Sequence, residues 1–306
     1  MVPETQRLSL LDRRGFIGAT AAAATLMGST LAEAQSAPDA PSPQPPAADP
    51  ATVKVERQGG VLLIAIDRAD ARNKIDFPTY VALGRAYYAF EQDDALRVAV
   101  LYGKGPDFSR GIDAPSWAKA LSSRLPQATD FIDPLGVTGA ERSKPVIVAV
   151  QGQVVRIAHE LFLAADIRVA ANDASFNQGE VHGAAFPGGG GTIRFVREAG
   201  WGNAMRYMLS GDSWGADEAR RMGIVQDVTP VGQQLDRALE IAKRVASAAP
   251  LGVRAAMASS HRALAEGEKA AFAALGPEFV KLLRSQDRQE FFRAQQENRP
   301  PVYVGR

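Results

Sequence analysis

Cysteine is absent from the 306 residues, and histidine occurs only three times, at His159, His182 and His261. The first absence excludes disulfides, thiolate nucleophiles and thiolate metal sites. The second leaves no HExxH-type spacing that would seat a metal ion, so none is expected. Neither sign of charge is in excess. The formal net charge is +1, which gives no electrostatic footprint for nucleic acid. What is present, 46% hydrophobic and 23% charged residues, suits one globular domain with a sizeable core.

The chain opens on a segment that is not part of that domain. Arg13 and Arg14 precede Gly15-Phe16-Ile17-Gly18 and an alanine-rich apolar run to about Leu31. Ala32-Glu33-Ala34 then places small residues before Gln35. A basic start, a modest apolar run and an A-x-A site read as a secretory signal over residues 1–34. The Arg-Arg-x-Phe-Ile core resembles a twin-arginine signal, which exports proteins already folded; Asp12 stands where Ser or Thr usually precedes the arginines. The expectation is periplasmic export with the twin-arginine machinery as a partner. The blander alternatives are a disordered tail or an uncleaved anchor, for which the run is short. Residues 35–51, rich in Pro, Ala and Ser, read as an extended linker, and the fold is expected to begin near Thr52.

Within the fold, Val53–Arg57 and Val61–Asp67 are β runs joined by a Gly-Gly hairpin signal, and Phe77 to Glu91 has helical spacing. Val98–Tyr102 and Pro145–Val150 read as buried strands. Between them, residues 114–143 predict a loop or helix around Trp117 and a second helix before Lys144. Amphipathic helices are expected over 232–248, 251–266 and 268–285.

The chemistry concentrates between Gly152 and Gly191. A helical pattern from about Ala158 to Ala164 carries Glu160 in its first turn, where the helix dipole favours an ionised carboxylate. A strand over Asp166–Ala170 leads to a loop with Glu180, closed by Pro187 and four glycines. Strand–turn–helix units gather such loops at one end of a sheet, so two carboxylates can face one cavity and serve as general acid and base.

This stretch resembles the signature of the crotonase (enoyl-CoA hydratase/isomerase) superfamily, at Gly152, Glu160, Leu161, Asp166, Ile167, Phe176, Glu180, Pro187, Gly188, Gly190, Gly191 and Thr192. Upstream, Gly103, Gly105, Phe108, Ser109, Gly111 and Asp113 match a second family loop; downstream, Gly211, Ala216, Glu218, Ala219, Gly223 and Val225 match its tail. The resemblance runs from about residue 52 to the C-terminus. It implies an α/β fold, a repeated ββα spiral core over residues 52–230, and a C-terminal helical trimerisation region over 231–306. A homotrimer or dimer of trimers follows by the same resemblance.

The resemblance also implies roles. The backbone N–H groups of Ile112 and Ile157 would form an oxyanion hole for a thioester enolate. Glu160 and Glu180, with the Gly188 N–H, would hold a water. Arg72 and Lys74 would approach CoA phosphates, a solvated turn being an equal alternative. CoA would enter as part of the substrate, with no other cofactor.

Three departures stand out. Arg156-Ile157-Ala158 replaces a triple glycine, and a structural ion pair is the favoured reading of Arg156. Gln295 and Asn298 replace a C-terminal Phe and Lys. His159 and His182 flank the two glutamates as auxiliary candidates. The leading reading is hydration of a 2-enoyl thioester. The alternatives are retro-Claisen cleavage of a CoA-free β-diketone, drawing on the histidines, and a non-catalytic binding protein on the same fold.

Overall fold

The computed structural model describes residues 52–122 and 129–306; the signal and linker segments lie outside the described residues. Strands β1 (Val53–Gln58) and β2 (Val61–Ile66) form the antiparallel hairpin. Strands β3 (Val98–Gly103), β4 (Val146–Val150), β6 (Ile167–Ala171) and β9 (Asp227–Thr229) extend it in parallel, giving the order β1-β2-β3-β4-β6-β9. The β-branched runs suit strands buried on both faces. Alternate residues divide between two apolar layers: Leu62, Ile64, Leu101 and Val148 face the main core, whereas Leu63, Val100, Ile147 and Val169 face the other side.

A second, small sheet joins β5 (Gln153–Val155), β7 (Ser175–Asn177) and β8 (Trp214–Gly215). Isolated bridges Ile75↔Ile112 and Ser109↔Val154 continue its pattern. Strands β2, β3, β4 and β6 therefore each pass through a short stretch of small-sheet pairing before a helix begins. These helices are α1 (Phe77–Gln92), α2 (Ala114–Ser122), α3 (Ile157–Ala164) and α4 (Gly191–Ala199). This is the expected ββα spiral.

The ends of α1 show how local chemistry sets the elements. The Asp76 side chain accepts from the Thr79 N–H at 2.8 Å and caps the start. The buried Lys144 ammonium donates to the carbonyls of Phe90 and Asp93, both at 2.8 Å, and closes the other end, where a cation meets the helix dipole favourably.

The helix expected before Lys144 is not formed across 129–143. The reason is Asp133, whose buried carboxylate accepts from the N–H groups of Leu135, Val137 and Thr138 at 2.9–3.0 Å and from the Tyr80 hydroxyl. A side chain that collects successive N–H groups competes directly with helical bonding.

Helices α5 (Trp201–Ser210) and α6 (Ala216–Arg221) complete the main layer. The C-terminal region opens with α7 (Gln234–Ser247), whose Ala238 and Ala242 pack against the outer sheet face. Helices α8 (Pro250–Glu266) and α9 (Glu268–Leu283) pack mainly on each other, and α9 exposes Phe272, Leu275, Phe279 and Leu283. Helix α10 (Gln286–Gln296) is the last of the chain; its buried Asp287 accepts from the N–H groups of Val304 and Gly305 and ties down the C-terminus. Among the described residues, no helix is long and apolar enough to cross a membrane.

Candidate active site

Glu160 lies in the first turn of α3, buried, with its carboxylate against the glycine turn that starts α4. Oε1 accepts from the Gly191 N–H at 3.0 Å. A Cβ at Gly189 would stand 2.8 Å from Oε2, and one at Gly191 would stand 3.1 Å from Oε1. The glycines are therefore needed so that backbone can touch the carboxylate. Burial drives the Glu160 pKa up to about 7; the Gly191 and Gly189 backbone and Arg194 oppose the shift, and the Glu180 charge adds to it. The dipole of α3 does not decide the protonation state of this group; desolvation does.

Glu180 opens a short 3-10 turn, Glu180–Gly183, directly after β7. Its Oε1 accepts from Gln178 Nε2 at 2.8 Å, while Oε2 is buried with no partner among the described residues. Burial raises its pKa too, against its own backbone N–H, Gln178 and the Arg156 charge. Two desolvated carboxylates that feel each other favour holding one proton between them.

The two candidate oxyanion donors sit on neighbouring turns. Gly111, at φ +88°, brings its α-carbon so close to β5 that a Cβ would lie 3.0 Å from the Val155 carbonyl oxygen. Ile75 N–H donates to Gly111 O and Asp113 N–H donates to Ile75 O, which turns the intervening Ile112 amide the other way. Neither the Ile112 N–H nor the Gly188 N–H has a partner among the described residues. Ile157 is the first residue of α3, where a backbone N–H has no intrahelical acceptor. Free donors on the two turns that Gly111 and Val155 bring together, beside paired carboxylates, are the parts that enolate chemistry requires.

The sequence relations decide the family. A model described as enoyl-CoA hydratase/isomerase matches residues 56–306. The chain belongs to the enoyl-CoA hydratase/isomerase family. It is 31% identical over 260 residues to an enoyl-CoA hydratase of Mycobacterium tuberculosis, covering 82% of this chain and 96% of that one. It is 32% identical over 253 residues to a 2,3-dehydroadipyl-CoA hydratase of Escherichia coli, covering 82% and 98%. The crystal structure of a probable enoyl-CoA hydratase/isomerase from Mycobacterium abscessus superposes with a TM-score of 0.80 at 43% identity, covering 83% and 99%.

Against that family pattern, Arg156 is the most unusual residue. It occupies φ 53°, ψ −113°, a conformation that suits glycine and strains a side chain. Its guanidinium is exposed and makes no ion pair among the described residues, so the expected structural ion pair is not formed. Its charge instead acts on Glu180. Relief of backbone strain worth about 1–3 kcal/mol exceeds the extra chain entropy of glycine, about 0.5–1 kcal/mol. Arg156→Gly is therefore expected to stabilise the protein by about 1 kcal/mol, read as a higher urea midpoint at unchanged slope.

Neither histidine lies free beside the glutamates. His182 Nε2 donates to the Ser210 carbonyl oxygen at 2.6 Å and so helps close the end of α5. His159 is fully buried among Phe162, Phe176, Phe195 and Trp214, and burial lowers its pKa to about 4. His261 lies on α8, among the helices far along the chain from this site. Arg72 is tied to the buried Asp107, so its charge is partly spent within the fold, whereas Lys74 is exposed. Among the described residues no cluster could hold a metal ion.

Gln178 is the residue that sequence reasoning passed over. It is fully buried and supplies the side-chain donor to Glu180. A glutamine at a strand end carries no motif of its own, so only its position two residues before Glu180 could have drawn attention to it. Tyr80, Phe77, Trp117 and Phe131 form a contiguous aromatic group beside Asp133, with ring centroids 4.9–5.9 Å apart.

Proposed function

We propose that this protein hydrates a 2-enoyl-CoA thioester. The observation that carries the reading is the mutually repelling pair of the buried Glu160 and the half-buried Glu180, on turns that also present backbone donors unpartnered among the described residues. The thioester oxygen sits between the N–H groups of Ile112 and Ile157. A water is held by Glu160, Glu180 and the Gly188 N–H. Glu160 takes a proton as the water oxygen bonds to C3, and the electrons move to the thioester oxygen as an enolate. Glu180 then gives its proton to C2, and the carboxylates re-equilibrate their proton for the next cycle. Each oxyanion donor in such a dry setting contributes about 3 kcal/mol to the barrier. The reaction needs no metal or prosthetic group.

A CoA-free diketone reaction called on a histidine beside the carboxylates; His159 is enclosed in the core and His182 is engaged at the end of α5, so neither supports that reading over hydration. Purified residues 35–306 with crotonyl-CoA test the reading. Loss of the conjugated-thioester absorbance with formation of the 3-hydroxyacyl product is expected; no turnover together with no CoA binding by calorimetry would overturn it.

Two further parts belong to this proposal. The exposed apolar side chains of α9, with Phe291 and Phe292 on α10, suit the interface of a homotrimer or dimer of trimers; light scattering at a trimer mass or a multiple of it is the expected result. The twin-arginine-type segment supports folded export to the periplasm. Replacing Arg13 and Arg14 by lysine should leave the protein in the cytoplasmic fraction.

A further inference from the structure

Behind Glu180 lie two polar side chains with no exposure at all, Gln178 and His159. The amide of Gln178 has two unlike ends. Its Nε2 donates to Glu180 Oε1 at 2.8 Å and lies 3.5 Å from the Arg156 carbonyl oxygen, and its Oε1 meets His159 Nδ1. Glu180 Oε1 only accepts, whether the carboxyl is ionised or carries its proton on Oε2, so the NH2 end must face it. The carbonyl end must then face His159, and His159 must carry its proton on Nδ1. Its other nitrogen, Nε2, has no hydrogen-bond partner among the described residues and is enclosed by aromatic rings with centroids 5.1–5.9 Å away.

That asymmetry makes the pair directional. The ring finds an acceptor for a proton only at Nδ1, so one tautomer is strongly favoured. With that tautomer present, a reversed Gln178 amide would set N–H against N–H at His159 and oxygen against carboxylate at Glu180. The device thus tethers Glu180 through Oε1 and leaves Oε2, buried and unpartnered, as the oxygen free to meet a substrate.

We propose that His159 is a positioning residue: acting through Gln178, it selects which oxygen of Glu180 is tethered and which reaches the reacting carbon. The inference rests on the reading of Glu180 as the acid at C2. Burial keeps the ring neutral, with its pKa lowered to about 4, so the arrangement persists at physiological pH. Sequence expectation placed His159 beside the chemistry; the structure places it one residue removed, behind the group that does the chemistry.

The test uses the protein from residue 35 onward with crotonyl-CoA. His159→Phe keeps the aromatic volume and deletes the donor. It is expected to lower kcat about tenfold, the effect of one lost orienting hydrogen bond, with KM within about twofold. His159→Asn, whose amide N–H reaches the place of Nδ1, should recover most of the loss. In a Gln178→Leu background His159→Phe should cause no further loss, since both act through one link. A folded His159→Phe protein with wild-type kcat, or losses that multiply in the double variant, would overturn the proposal. Should His159→Phe fail to fold, long-range proton–nitrogen spectra of the unaltered protein decide: a neutral Nδ1–H ring from about pH 5 to about pH 9 is expected, and an Nε2–H ring or an imidazolium would overturn it. Glu180→Gln separates the two ideas. Wild-type turnover by Glu180→Gln defeats the catalytic reading itself, whereas an inactive Glu180→Gln beside a fully active His159→Phe defeats only the positioning role.

Discussion

Glu180→Gln is expected to lower kcat for enoyl-CoA hydration by about 10³-fold while leaving KM within a few-fold, because positioned proton transfer contributes about 10²–10⁴ in rate. The substitution is nearly isosteric and preserves an oxygen for the Gln178 N–H at Oε1. What it removes is the carboxyl oxygen Oε2, the buried atom that has no partner among the described residues and through which the proposed proton transfer runs. Substrate held by the proposed oxyanion donors should bind as before. Steady-state kinetics on the purified variant provide the check. A fall in kcat/KM caused by KM alone would assign Glu180 to binding rather than chemistry.

Glu160→Gln should also be nearly inactive, by about 10²–10⁴-fold, yet more stable than the wild type at alkaline pH. The sign follows from its pKa, raised by burial from 4.5 to about 7. A carboxyl whose folded pKa is raised binds its proton more tightly in the native state. Its favourable contribution is full below pH 4.5 and is lost as pH rises through about 7. The loss by pH 8 is on the order of 3 kcal/mol for a group this buried. Glutamine never ionises and avoids that penalty, while its amide oxygen can still accept from Gly191. Urea melts of both proteins should coincide near pH 4.5 and diverge towards pH 8, with the variant the more stable. Parallel curves across that range would show that the Glu160 carboxyl is not perturbed. Stability gained by removing a functional group is what a site built against its own electrostatics predicts.

The contrast between these carboxylates and the rest of the chain explains what the sequence could reveal. The β-branched runs Val61–Ile66 and Val146–Val150 announce strands because a chain buried on both faces has little choice of side chain. Glu160, Glu180 and the Pro187–Gly191 turn were legible because a charge and a backbone approach each demand particular residue types. The proposed oxyanion donors were legible only through family resemblance, since a backbone N–H leaves no mark on residue identity at Ile112 or Ile157. The missing helix before Lys144 turned on one side chain, Asp133, collecting donors from several successive residues. Such capture depends on tertiary burial with Tyr80, which periodicity does not record. The same holds for the histidines: although adjacent to the glutamates in sequence, His159 is turned into the core by α3 and His182 meets the Ser210 carbonyl.

Arg156 shows the converse case, a residue that sequence marks as anomalous and structure makes more so. Its strained backbone persists because Asn177 O accepts its N–H at 2.8 Å and its own carbonyl accepts from Glu160 N–H at 3.0 Å. Those bonds hold the turn that aims Ile157 N–H, so the strain is stored where the proposed oxyanion hole begins.

The most direct measurement is isotope incorporation. Crotonyl-CoA hydrated in D2O by the unaltered protein should give a 3-hydroxyacyl product with a single deuterium at C2 on one face, and Glu180→Gln should form that C2–D bond about 10³-fold more slowly. Deuterium delivered to C2 at an undiminished rate by Glu180→Gln would contradict the account, because the proton would then come from somewhere other than the buried carboxyl pair.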